Sequence, residues 1–77
     1  MKRKHKNIYI QLGLNIAYYR KRKGLTQEKL AEALEMSRNH ISKIEALNVE
    51  TSLSLDTLFD IAEILDISPS VLLELRD

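Results

Sequence analysis

The 77-residue sequence has no cysteine, no tryptophan, two glycines and one proline. Without cysteine there are no disulfides and no thiolate metal centres, which fits a reducing compartment such as the cytoplasm. The two histidines, His5 and His40, lie far apart, so no zinc site is expected. No apolar run approaches the ~20 residues of a membrane span. The basic start Met1-Lys2-Arg3-Lys4 leads only into Ile8-Tyr9-Ile10 before polar residues return, which is not the pattern of a secretory leader. A Ser/His/Asp set and a phosphate-cradling glycine loop are also missing. A chain this short buries a small share of its surface, leaving little room for an enclosed active site. The expectations are therefore no enzyme activity, no cofactor, no metal and no membrane.

The chain is 44% apolar and 30% charged, a globular composition of one-domain length. Its net charge of +1 hides an uneven distribution. Residues 1–48 hold 11 basic and 4 acidic side chains, a net of +7, and residues 49–77 hold 1 basic and 7 acidic, a net of −6. Such asymmetry points to a polyanionic partner on the basic side. Residues 1–7 form a basic arm, fitting either a contact along phosphates or a solubilising tail, and residues 8–77 form the domain.

Few Gly and Pro leave few breaks, strand-like alternation is absent, and the apolar spacing is helical nearly throughout. A first helix is predicted from about Ile8 to Lys23, with Leu12, Ile16 and Tyr19 on one face. It ends in the basic turn Arg20-Lys21-Arg22-Lys23, followed by Gly24. Thr26 caps a second helix, Gln27 to Leu34, whose stripe is Leu30, Ala31 and Leu34. After Glu35-Met36, Ser37 caps a third, Arg38 to about Ala46, with Ile41 and Ile44 inward. Asn48 to Ser54 reads as a loop. Ser54 then caps a fourth helix, Leu55 to Leu65, with Leu58, Ile61, Ala62 and Leu65 at the amphipathic template. Asp56, Asp60 and Glu63 form its polar face. Ser68-Pro69 reads as N-cap and first position of a fifth helix, reaching about Leu75. The second and third helices, joined by about three residues, have helix-turn-helix spacing.

The stretch from Thr26 to Glu45, TQEKLAEALEMSRNHISKIE, resembles the helix-turn-helix of the phage lambda/434 repressor-like (XRE-type) DNA-binding family. The resemblance covers about residues 12–73. It takes in Leu12-Gly13, Ile16 and Arg20 before the motif, and Leu58–Leu65, Ile67-Ser68 and Val71-Leu72 after it. It implies an all-α, five-helix domain that binds double-stranded DNA as a transcriptional regulator, as a homodimer on a palindromic operator. A restriction–modification controller, a phage-type repressor and an antitoxin-like regulator remain open within that class. The alternative from another class is a protein–protein interaction module that keeps the fold without binding DNA.

Position by position, the resemblance assigns base reading to Arg38, Asn39 and Lys43. Arg suits guanine and Asn suits adenine in the major groove. It assigns phosphate contacts to Gln27, which also braces Arg38, and to Ser37, His40 and Ser42. Arg20 and Glu45 match a structural ion pair. Apolar residues outside the main stripes, Phe59, Ile64, Val71 and Leu75, form a candidate dimer patch. Three features depart from the family pattern. Glu35 stands where Gly is common, at a strain of roughly 1–2 kcal/mol if the backbone there is left-handed. The segment after Glu45 is about two residues longer and lacks the usual Gly and Pro. Ile44 stands where an aromatic is frequent.

Overall fold

The computed structural model describes residues 4–46 and 53–74. They form α1 (Lys6–Arg22), α2 (Gln27–Leu34), α3 (Arg38–Glu45), α4 (Leu55–Leu65) and α5 (Pro69–Leu72). Among the described residues there is no strand. The bounds of α2 and α4 are those the sequence predicts. α1 starts two residues earlier, at Lys6, inside the expected basic arm. Most of the expected loop after Asn48, and Leu75 at the end, lie outside the described residues.

Three of the four connections use one chemical design. α1 is followed by Gly24-Leu25-Thr26, α2 by Glu35-Met36-Ser37, and α4 by Asp66-Ile67-Ser68. The first residue of each trio is left-handed, with φ of 81° at Gly24, 56° at Glu35 and 58° at Asp66. This lets the second residue fold its N–H back onto the helix just ended. Leu25 donates to the Arg20 carbonyl at 3.0 Å, Met36 to Ala31 at 2.9 Å and Ile67 to Ala62 at 3.0 Å. That pairing satisfies carbonyls the helix end would leave open. The same three apolar side chains pack against the core. The third residue then caps the next helix. Thr26 Oγ1 accepts from Lys29 N–H at 3.0 Å, Ser37 Oγ from His40 N–H at 3.1 Å, and Ser68 Oγ from Ser70 N–H at 3.4 Å. Ser54 caps α4 in the same way, through Thr57 N–H at 3.1 Å.

The buried apolar core consists of Leu12, Ile16, Leu30, Ala31, Ile41, Ile44, Leu58, Ile61, Ala62, Leu65 and Leu72. Tyr19 and Leu34, expected in the stripes, pack on it from its edge. The main contacts of α3 are with α1 and α2, whereas α4 packs on α1, α2 and α5. α1 therefore touches three partners and buries polar groups as well as apolar ones: Gly13, Asn15 and Arg20 are buried with Leu12 and Ile16. Asn15 is only 3% exposed. Its Nδ2 donates to the carbonyls of Leu72 at 3.0 Å and Glu74 at 2.8 Å, and its Oδ1 accepts from Gln11 Nε2 at 3.0 Å. The chain after α5 is thereby held on α1, and α5 ends at Leu72 rather than near Leu75.

At the other end of α1, Arg20 and Glu45 form the expected ion pair, with 8% and 5% of their side-chain surface exposed. The contact is two-pronged: Arg20 Nε donates to Oε2 at 2.7 Å and Nη2 to Oε1 at 3.0 Å. Nη1 donates to the Leu25 carbonyl at 2.7 Å. A buried charge left without its partner is costly, so Glu45→Ala should lose about 3–5 kcal/mol in urea unfolding. The double variant Arg20→Met/Glu45→Leu should lose less, because it strands no charge. Glu35→Gly should gain about 1 kcal/mol in the same assay, by removing left-handed strain. Asp66→Gly should gain less, since Asp tolerates that conformation better.

Candidate nucleic-acid interface

α3 carries the side chains expected to meet DNA, and its two sides differ sharply. Ile41 and Ile44 are buried, while Arg38, Asn39 and Lys43 are exposed. At about 100° per residue, Asn39, Ser42 and Lys43 face away from the isoleucines, and Arg38 lies at the edge of that outer arc, on the Glu45 side. His40 and Glu45 flank the buried stripe on opposite sides, and His40 and Ser42 are half-buried. The outer arc thus offers a guanidinium, an amide, a hydroxyl and an ammonium, the donor-rich set that reads base edges and phosphates. Ser37 sits at the entrance to this helix. Its oxygen accepts the cap hydrogen bond from His40 N–H, which leaves its O–H available as a donor.

The seat of α3 is fixed from below. Gln27, the first residue of α2, donates from Nε2 to Glu45 Oε1 at 3.0 Å. That oxygen also accepts from Arg20. One carboxylate at the end of α3 therefore ties together the end of α1 and the start of α2, while the Arg20 guanidinium also holds the Leu25 carbonyl of the connection between them. Gln27 is half-buried. It is held beside the helix it is expected to support, and its hydrogen bond goes to Glu45.

Of two further residues in this framework, Gly13 enters the sequence reading only as part of the family resemblance, with no role, and Asn15 does not enter it. Gly13 lies in the middle of α1 with no turn to make, and adding a Cβ there would meet the backbone of Ile44 and Glu45 in α3. A glycine with no cap or turn to explain it was the available signal. Asn15 sits between Leu12 and Ile16 in the apolar spacing, and a polar residue on an apolar face was its signal.

The four residues of the candidate dimer patch are not equivalent. Phe59 is 49% exposed, Val71 is half-buried, and Ile64 is half-buried and packs against the protein's own core. Leu75 lies outside the described residues. Leu55, one turn before Phe59, is more exposed at 66%. Nearby, Ile8, Tyr9, Leu12, Leu53, Leu58 and Leu73 help line an open, largely apolar groove of about 320 Å³. Among the described residues no group of His, Asp or Glu could hold a metal ion. No described helix is long and apolar enough to cross a membrane.

The profile of a helix-turn-helix family matches residues 16–72. The chain is 35% identical over 66 residues to the HTH-type transcriptional regulator SinR of Bacillus licheniformis, covering 86% of this chain and 59% of that protein. It is also 35% identical over 63 residues to SinR of Bacillus subtilis (strain 168), covering 82% and 56%. The chain thus spans somewhat over half the length of these relatives. Among solved structures, the restriction-modification controller protein C.AhdI from Aeromonas hydrophila superposes with a TM-score of 0.80 at 28% identity, covering 91% of this chain and 99% of that one. SinR in complex with DNA superposes with a TM-score of 0.73 at 35% identity, covering 82% and 98%. With the motif, the five-helix order and the Arg20–Glu45 lock all in place, the chain belongs to the lambda repressor-like (XRE-type) helix-turn-helix family.

Proposed function

We propose that this protein is a transcriptional regulator that binds double-stranded DNA sequence-specifically, with α3 in the major groove. One observation carries the reading: Arg38, Asn39 and Lys43 occupy the outward arc of a helix whose inner side is fixed by Ile41, Ile44 and the Glu45 carboxylate. A reading head needs such a rigid back, because hydrogen bonds to base edges tolerate little displacement. In this reading Arg38 pairs with a guanine, Asn39 with an adenine, and Lys43 with a base one turn further along. Gln27, Ser37, His40 and Ser42 contact phosphates and set the register. The chain meets its DNA in the cytoplasm. Similarity to a regulator solved in complex with DNA supports the partner, and similarity to a restriction-modification controller supports the regulatory role.

The protein acts as a homodimer on a palindromic site in this reading. It measures 31 × 24 × 20 Å. Two copies side by side therefore suit half-sites about one helical turn, ~34 Å, apart. The exposed pair Leu55 and Phe59 on α4, beside the apolar groove, supplies the surface two copies would share. Asp56 and Asp60 on α4 and Lys4 and Lys6 at the start of α1 add opposite charges that a two-fold contact can pair.

Selection of bound duplexes from a random pool tests the reading directly: a palindromic consensus is expected, and a pool that never enriches overturns it. On the selected site Arg38→Ala should cost roughly 1–3 kcal/mol and relax preference at one base pair. Equal loss on every sequence would make Arg38 a phosphate contact. Sedimentation with operator-length DNA should show two protein chains per duplex, and Phe59→Lys should reduce this to one.

A further inference from the structure

Gly13 stands inside α1, seven residues after its start and nine before its end. Glycine in a helix interior costs roughly 0.5–1 kcal/mol relative to alanine. Unlike Gly24, it has no positive φ to justify it. What justifies it is proximity. A Cβ at this position would overlap the Ile44 carbonyl oxygen and would stand 3.4 Å from the Glu45 Cα and 3.5 Å from the Ile44 carbonyl carbon. All three atoms are backbone, so no change of rotamer can make room. The α3 helix would have to move.

The contact falls at a sensitive place. Ile44 and Glu45 are the last residues of α3, and Glu45 is the carboxylate that receives Arg20 and Gln27. Lys43 is their immediate neighbour. Arg38 lies six residues up the helix from Ile44, about 9 Å along its axis. The buried Ile41 grips the helix between these points. A methyl group wedged under the C-terminal end would lift that end and tilt the helix, changing the pose of all three base-facing side chains.

We propose that Gly13 is a positioning residue for sequence reading: its missing side chain sets how closely α3 seats on α1, and so fixes the pose in which Arg38, Asn39 and Lys43 meet the bases. The proposal rests on α3 being the base-reading helix. Base-edge hydrogen bonds need placement within about 0.5 Å, whereas attraction to phosphates falls off gently with distance. A shifted α3 therefore loses discrimination before it loses attraction to DNA.

The test compares the full chain and its Gly13→Ala variant on two duplexes of equal length, the sequence selected by the wild type and a scrambled one. Anisotropy titrations are run at a temperature where circular dichroism shows both proteins folded. Gly13→Ala should weaken binding to the selected site about tenfold or more, equivalent to one lost base contact, and leave the scrambled duplex within about twofold. Parallel loss on both duplexes, or no loss on either, overturns the proposal. If Gly13→Ala does not fold, it is repeated with Asp66→Gly, which relieves strain far from α3 in the sequence. A chain still unfolded there makes Gly13 a requirement of the fold alone and also overturns the proposal. A wild-type chain that selects no sequence overturns the DNA-binding reading, and this proposal with it. Selection by the wild type followed by parallel loss in the variant overturns only the role of Gly13.

Discussion

The buried pair of Arg20 and Glu45 is the constraint on which the rest of this small protein depends. Two charges almost out of contact with water are tolerable only when each hydrogen-bonding position is matched. Here the match requires three segments at once. The guanidinium takes both carboxylate oxygens and the Leu25 carbonyl, and Gln27 takes the carboxylate oxygen shared with Nη2. None of these segments can move without breaking a hydrogen bond to the buried pair. The pair contributes less as a source of net stability than as a specification of one arrangement of α1, α2 and α3. That arrangement is the one in which the outer arc of α3 stands free.

α1 is the axis around which the domain is organised. At one end Arg20 holds the end of α3, in the middle Gly13 lets α3 come close, and Asn15 holds the carbonyls that follow α5. A helix with three packing partners cannot present one clean apolar face. Its buried set therefore mixes leucine and isoleucine with glycine, asparagine and arginine. The connections complement this arrangement. A left-handed residue, an apolar plug and a hydroxyl cap close one helix and open the next within three residues, three times over. In two of the three the left-handed residue is Glu35 or Asp66 rather than glycine, so local strain is accepted where the apolar plug that follows, Met36 or Ile67, is gripped by the core.

Most of the helical plan was legible because its signals are local. The hydroxyl caps at Thr26, Ser37, Ser54 and Ser68 mark the starts, and the i, i+3, i+4 spacing in α2, α3 and α4 marks the buried stripes. The left-handed turn at Glu35 followed from the family position it occupies, while the equal turn at Asp66 had no such cue. The end of α5 has no local stop signal in the sequence, and the carbonyls of Leu72 and Glu74 bond to Asn15, far away along the chain. The candidate dimer patch rests on apolar residues lying outside the main stripes, and position relative to a stripe does not measure exposure. Ile64 proved to pack against the core, and Leu55, nominally part of an amphipathic helix start, is the more exposed residue.

The sequence by itself determined the class of the protein. Binary patterning, capping residues and the split of charge into a basic first part and an acidic second part are properties of neighbours along the chain, and they sufficed for five helices and a helix-turn-helix. Only the tertiary structure decided how that motif is held. The depth of α3 against α1 depends on an atom that is missing at Gly13, and no periodicity registers an absence. The orientation of Gln27 depends on which acceptor lies within 3.0 Å, and the fork on Glu45 depends on two helix ends meeting at hydrogen-bond distance. Contacts between residues 18 to 59 positions apart are set by packing, and packing exists only once the chain has folded.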